Sequence, residues 1–113
     1  MRFETSASFD ADYRRLKPEH KVAFRAAVGP FSAAGDDWLA SPGGRWPAAL
    51  RVAPMRGTKG IWEMTWSFAS LDGRATFEFV VRDGVPACRW RRIGDHGVFK
   101  GSVTGHLRTP PRA

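Results

Sequence analysis

Cysteine and long apolar runs are the scarcest features of this sequence. It contains one cysteine, Cys88, and no apolar run of the length that crosses a bilayer. A single thiol forms no disulfide within the chain, and no set of cysteine and histidine residues has the spacing of a zinc site. The N-terminus lacks the apolar stretch of a secretion signal, and a membrane helix needs about 18 to 20 apolar residues. We therefore expect a soluble, cytoplasmic protein in which Cys88 is a packed thiol.

Acidic residues are few relative to basic ones. The chain has 11 aspartates and glutamates against 18 lysines and arginines, which gives a formal charge of +7 and a pI of about 10.8. A surplus of this size attracts polyanions. It makes nucleic acid the natural class of partner.

Aromatic residues, in contrast, are abundant. Eight Phe and five Trp among 113 residues supply the core of one domain, and the length leaves little room for a second. We expect a single domain over residues 1–100. Residues 101–113 are rich in Gly, Pro, Ser and Thr, and they predict a loose basic tail.

The N-terminal part predicts a strand followed by two helices. Apolar or small residues alternate with polar ones over Phe3–Phe9, as in a half-buried strand. A first helix follows, with Ser8 or Asp10 as its cap. A second runs over about Pro18–Val28 and is expected to end at Gly29-Pro30, because proline disrupts a helix interior. The segment from there to residue 54 is mostly irregular.

The C-terminal part predicts a three-stranded antiparallel meander over Gly60–Phe99. Large apolar residues alternate with polar ones in Ile61–Phe68, Arg74–Val81 and Pro86–Ile93. Asp83-Gly84 lies between the last two runs, and both residues tolerate the positive φ of a type I′ turn. The predicted fold class is α+β, with the N-terminal strand and two helices packed on this meander.

A two-residue turn fixes which side chains meet across the hairpin. It places Phe79 opposite Cys88 and Phe77 opposite Trp90 on the apolar face. On the polar face, Glu78 falls opposite Arg89. Continued regularly, the same register puts Thr76 opposite Arg91, and Ile93 on the polar side. The polar face then gathers Glu63, Thr65, Arg74, Thr76, Glu78, Arg89 and Arg91.

This polar face has two interpretations. A solvated sheet face is the simpler one. A functional site is favoured by the surplus of arginine over carboxylate and by His96, which follows the last strand. Positive charge beside the face suits contacts with a phosphate backbone. The candidate RNA contacts are Arg51, Arg56, Lys59, Arg89, Arg92 and Lys100.

Three short motifs, taken in order, resemble the RelE/ParE superfamily of bacterial toxins (RelE, HigB and YoeB among them). They are a basic loop with a Gly-aliphatic-aromatic sequence in Arg56–Glu63, a glycine–arginine strand start in Gly73–Phe77, and a closing strand with a glycine–histidine turn in Arg92–Phe99. The resemblance covers roughly residues 1–100 and includes the element order. It implies the small RelE-like RNase fold.

The resemblance also implies an activity and its residues. It implies a ribosome-dependent mRNA endoribonuclease that needs neither metal nor cofactor and is silenced by a cognate antitoxin. Arg74 would stabilise the scissile phosphate with support from Arg91, His96 would transfer a proton, and Glu63 could act as the base. RelE itself has lysines in place of Glu63 and Thr65, and many members have a catalytic tyrosine in place of Phe99. The assignment of acid and base therefore stays open.

Two other functions are compatible with the same residues. A ParE-like toxin would inhibit by binding a target such as gyrase without cleaving RNA, and Phe99 in place of a hydroxylated aromatic favours it. A basic nucleic-acid-binding module without catalysis is the third. For either toxin, we expect a partner that is small and acidic or has a helix-turn-helix fold.

Overall fold

A computed structural model of the chain describes residues 1–41, 44–66 and 73–94. The fold class is α+β, as predicted. The elements in chain order are β1 (Arg2–Thr5), α1 (Ala7–Arg15), α2 (Pro18–Ala40), a 3-10 turn (Ala48–Leu50), β2 (Val52–Pro54), β3 (Trp62–Trp66), β4 (Gly73–Arg82) and β5 (Val85–Gly94). Lys100, Phe99, His96 and the predicted tail lie outside the described residues.

The strands form one five-stranded sheet in the order β1-β5-β4-β3-β2. The predicted meander is confirmed over its described part, since β3, β4 and β5 are consecutive antiparallel neighbours. The N-terminal strand β1 joins the sheet itself, parallel to β5. The short strand β2 pairs with β3 and forms the opposite edge of the sheet. The meander is therefore the centre of a wider mixed sheet.

The β4–β5 hairpin follows from its turn residues. Asp83 and Gly84 have φ angles of 54° and 75°, which is the left-handed region that a type I′ turn requires. The predicted pairs Phe79–Cys88 and Glu78–Arg89 are both present. In this stretch, turn chemistry alone fixes the register.

Beyond Phe77 the predicted register is wrong, because β5 contains a β-bulge. The register shifts between Thr76 and Phe77, and Thr76 pairs with Arg92 instead of Arg91. One extra residue in a strand reverses the alternation of the residues that follow it. Ile93, predicted on the polar face, is consequently 1% exposed and belongs to the core.

The start of α1 also differs from the prediction. The strand ends at Thr5, and Phe9 is a buried residue of the helix. Ser6 is the N-cap: its Oγ accepts a hydrogen bond from the backbone N–H of Phe9 at 3.0 Å and donates one to the carbonyl of Arg91 at 2.8 Å. Capping and a contact with β5 together explain why Ser6, and neither Ser8 nor Asp10, begins the helix.

The second helix does not end at Gly29-Pro30. It continues to Ala40 with Pro30 inside it. A proline in a helix interior costs about 3 kcal/mol. Phe31, the next residue, is fully buried, and its ring lies 5.0 Å from that of Trp90 and 4.9 Å from that of Phe77. Replacing such a phenylalanine by alanine typically costs about 3–5 kcal/mol, so its burial offsets the proline.

The core lies between the two helices and one face of the sheet. Its fully or almost fully buried members include Phe9, Phe24, Phe31, Met64, Ala75, Phe77, Cys88, Trp90 and Ile93. Cys88 is 0% exposed, as predicted, and burial raises the pKa of its thiol. The helices therefore cover the apolar face, and the opposite face of the sheet carries the polar side chains.

Candidate nucleic-acid interface

We use "outer face" for the side of the sheet that the helices do not cover. The register brings several predicted site residues together there. Glu63 in β3 pairs with Thr76 in β4, and Thr65 pairs with Arg74 one row further along. Directly opposed residues have Cβ atoms about 4.5–5.5 Å apart. The predicted grouping of these four side chains is confirmed.

Arg74 lies at the end of β4 that is remote from the hairpin turn. It is half-buried and pairs with Thr65 on one side and Gly94 on the other. His96, the proposed proton-transfer residue, follows Gly94 by two positions and lies outside the described part of the chain.

Next to these residues, a chain of ion pairs crosses the outer face. The Arg82 guanidinium donates to both carboxylate oxygens of Glu4, at 2.9 and 2.7 Å. Glu4 also pairs with Arg89 at 3.5 Å, and Arg89 contacts Glu78 at 3.4 Å. The chain continues from Glu78 to Arg91 at 3.7 Å.

This ion-pair chain concerns two of the predicted residues. Arg91, expected to support the scissile phosphate, has Glu78 as its partner. The pairing of Arg89 with Glu78 is as predicted. Three arginines share two carboxylates, so a net positive charge remains at the surface. Each pair is partly exposed and contributes at most about 1 kcal/mol, so a bound polyanion can compete for these arginines.

Arg92 is held by a different and much more buried partner. Its Nε and Nη2 donate to Oδ2 and Oδ1 of Asp12 in α1, at 2.6 and 3.0 Å. The backbone N–H of Ile93 donates to the same carboxylate at 3.1 Å, and Arg15 does so at 3.1 Å. The Asp12 side chain is only 3% exposed. The proposed RNA contact of Arg92 would have to replace this bidentate pair.

Several opposing effects set the pKa of Asp12. Burial raises it, but the hydrogen bonds from Arg92 and Ile93 and the charges of Arg92 and Arg15 outweigh burial. The pKa of Asp12 is therefore lower than the usual value, and the carboxylate stays ionised. The same pair raises the pKa of Arg92. Asp12 thereby ties α1 to the bulged part of β5.

The predicted basic loop is the β2–β3 hairpin loop. Met55 N–H donates to the Ile61 carbonyl at 2.8 Å, and Gly57 and Gly60 have φ angles of 80° and 79°. Arg56 and Lys59 are exposed in it. This loop extends from the Trp62 end of β3, whereas Arg74 pairs at the other end. Three residues of strand, about 10 Å, separate those two rows.

Arg51 lies at the same end of the sheet as Arg74. It caps the 3-10 turn in a left-handed conformation (φ 48°), is exposed, and directly precedes β2. Since the first residue of β2, Val52, pairs with Met64, Arg51 lies near the Thr65 row. The predicted basic residues are thus distributed along the sheet and do not form one compact patch.

The sequence patterns did not predict two features that hold these arginines. Glu4 and Arg82 belong to the ion-pair chain, and their charged positions in alternating segments were the available signal. Asp12 gave no such signal, because an aspartate inside a helix usually faces solvent. Its role depends on contact with β5, about eighty residues later in the chain.

Within residues 1–41, 44–66 and 73–94, no three or more His, Cys, Asp or Glu side chains are grouped so that they could hold a metal ion. No helix in the described part of the chain has the length and hydropathy needed to cross a membrane.

Comparison with known proteins gives one similar structure. No family model matches the sequence, and no curated protein matches it significantly. Among solved structures, the chain is similar to a YoeB/ParE toxin from Agrobacterium tumefaciens, with 12% sequence identity and a TM-score of 0.49. The likeness covers 85% of this chain and 99% of the toxin. At that identity and TM-score, functional conclusions have to come from the residues of the site.

Proposed function

We propose that this protein is the toxin of a toxin–antitoxin pair, and that it acts in the cytoplasm as a ribosome-dependent, metal-independent mRNA endoribonuclease. The observation that carries the proposal is the outer face, where Glu63, Arg74 and Arg91 lie on three adjacent strands. Carboxylate and guanidinium groups on one face of the sheet are suited to cleavage of a phosphodiester. The resemblance of the three sequence motifs to the RelE/ParE superfamily supports the same function.

The proposed reaction is attack by a ribose 2′-hydroxyl on the adjacent phosphorus. Glu63 removes the hydroxyl proton, the new O–P bond forms, and the bond to the 5′ oxygen breaks. Arg74 and Arg91 stabilise the charge that develops on the non-bridging oxygens. His96 protonates the leaving 5′ oxygen, since imidazole can give and take protons near neutral pH.

A ParE-like toxin without nuclease activity is the second candidate. Two observations favour it: Phe99 has no hydroxyl group, and Glu78 already pairs with Arg91. Such a toxin would use the same cationic face for a protein target. A nucleic-acid-binding module is distinguished from both, because it would bind RNA tightly without ribosomes and without arresting growth.

Growth inhibition tests the toxin proposal. We expect expression of the parent protein to arrest bacterial growth, and Arg74→Ala or His96→Ala to relieve the arrest. Arg45→Ala is the control, since Arg45 is exposed in the link after α2. Variants that fold like the parent, by circular dichroism, and remain equally inhibitory would exclude the proposed site.

A groove on the helix side of the sheet is the proposed binding site of the antitoxin. This groove has a volume of about 530 Å³ between β1, α1 and α2, with Phe3, Phe9, Tyr13, Phe24 and Trp90 among its lining residues. Its charged surroundings are mostly basic: Arg14 lines it beside Asp10, Arg25 donates to the Tyr13 hydroxyl at 2.9 Å, and Lys21 lies over the Tyr13 ring. An apolar floor with a basic rim fits an acidic, amphipathic segment of a partner protein.

A further inference from the structure

The hydroxyl group of Thr76 is buried without a hydrogen-bond partner. Thr76 is 2% exposed, and its Oγ1 is one of two such side-chain atoms in the described part of the chain, with Trp46 Nε1. An unsatisfied buried hydroxyl is unfavourable, because it loses its hydrogen bonds to water without gaining others. Valine has the same shape and a high strand propensity, so the fold itself does not require the hydroxyl.

Thr76 lies at the centre of the outer face. Glu63 is directly opposite it in β3, and Arg74 and Glu78 lie two residues away on each side in β4. In β5 its partner is Arg92, whose side chain is held by Asp12. The Thr76 hydroxyl therefore lies among the side chains that the proposed reaction uses. Its backbone is fixed, because β4 lies between two neighbouring strands.

The hydrogen-bonding capacity of the outer face indicates what is missing. The carboxylates of Glu4 and Glu78 are committed to arginines, and neither they nor Glu63 accept a hydrogen bond from Thr76. A hydroxyl donor with arginines nearby matches an anion that has several acceptor oxygens. Phosphate oxygens meet that need, and they also attract Arg91 away from its exposed pair with Glu78.

We propose that Thr76 is a substrate-binding residue, and that its Oγ1 donates a hydrogen bond to a non-bridging phosphate oxygen of bound RNA. Arg74 and Arg91 hold the other oxygens of the same phosphate. This inference rests on the proposed function, because it deepens the same site. Access requires the long side chains around Thr76 to move aside, whereas the hydroxyl stays in place on the sheet.

If Thr76 binds substrate, its replacement by valine should lower RNA affinity without lowering the stability of the folded protein. Thr76→Val removes an unsatisfied polar group and keeps the shape, so the folded protein is expected to be as stable as the parent or more stable. The same change removes a hydrogen bond to RNA. A structural hydroxyl, in contrast, would lower both stability and binding when it is lost.

The test uses the fluorescently labelled full chain and ribosomes that carry an mRNA with 2′-O-methyl groups, which prevent cleavage. Fluorescence anisotropy gives the affinity, and urea unfolding gives the stability. For Thr76→Val we expect about tenfold weaker binding with an unchanged or higher urea midpoint. Thr76→Ser keeps the hydroxyl and should bind within about threefold of the parent. Thr5→Val is the matched control, since Thr5 is exposed in β1 and lines the groove on the helix side.

Three results would overturn parts of this account. Unchanged RNA affinity in Thr76→Val, with the parent binding well, would remove Thr76 from the site and leave the proposed function standing. A lower urea midpoint in Thr76→Val would show that the hydroxyl has a structural partner. Failure of the parent itself to bind RNA, alone or with ribosomes, would overturn the proposed function and this inference with it.

Discussion

At the scale of single residues, Asp12 has the greatest structural consequence. Its carboxylate is almost fully buried and accepts hydrogen bonds from Arg92, from Arg15 and from the backbone N–H of Ile93. The N–H of Ile93 lies on the edge of β5, at a point that β1 does not reach because β1 ends at Thr5, opposite Trp90. Asp12 thus replaces a strand as the hydrogen-bond partner. Sequence patterns cannot predict this role, because it depends on two distant elements.

Acid should remove the contribution of Asp12 to stability. Its pKa is lowered in the folded protein, so its contribution is complete above the usual pKa of 3.8 and is lost as the pH falls below that value. We expect Asp12→Asn to be less stable at pH 7 by about 3–5 kcal/mol, because a buried ion pair loses one charge. Urea unfolding between pH 3 and pH 7 measures both effects.

The control for this prediction is Asp10→Asn, in the same helix but exposed. We expect its stability to follow that of the parent at each pH. If the difference between Asp12→Asn and the parent were the same at pH 3 as at pH 7, Asp12 would not be the carboxylate that acid removes.

At the scale of elements, local sequence patterns predicted the hairpin and the strand faces correctly, but not the bulge in β5 or the end of α2. Asp83-Gly84 fixes the hairpin, and alternation fixes the faces of β3 and β4. The bulge in β5 depends on burial of Ile93 and on Asp12, which no local pattern contains. The proline in α2 is a local break signal that tertiary packing of Phe31 overrides. Local rules therefore predicted which residues share the outer face, and long-range contacts determined that Arg92 is held by Asp12.

Replacing Pro30 or Phe31, which are adjacent in α2, by alanine should change the free energy of unfolding in opposite directions. Phe31→Ala should lower the free energy of unfolding by about 3–5 kcal/mol, because it leaves a cavity between Trp90 and Phe77. Pro30→Ala should raise it by about 1–3 kcal/mol, because alanine restores a backbone donor within the helix. Urea unfolding of both variants measures the two values. Destabilisation by Pro30→Ala would mean that the fold requires the proline.

At the scale of the whole molecule, two surfaces lie on opposite sides of one sheet. The outer face carries the ion-pair chain and the proposed site. The helix side carries the aromatic groove with its basic rim. Both surfaces suit acidic ligands, as the charge of +7 predicts, but one suits phosphates and the other an amphipathic protein segment.

Charge reversal separates these two surfaces. The double change Arg14→Glu and Arg25→Glu should weaken binding of the proposed acidic antitoxin by at least about tenfold. RNA affinity should change much less, because the groove is remote from the outer face. Arg45→Glu is the matched control. Co-purification of the double variant with its partner at parental yield would exclude the groove as the docking surface.

Arg74 on the outer face is proposed to serve RNA cleavage. Mapping of RNA 5′ ends in cells, at single-nucleotide resolution after brief expression, tests it most directly. We expect new ends within translated codons for the parent protein, and their loss for Arg74→Ala but not for Arg45→Ala. Growth arrest by the parent without any new RNA ends would contradict it and would favour the toxin that binds without cleaving.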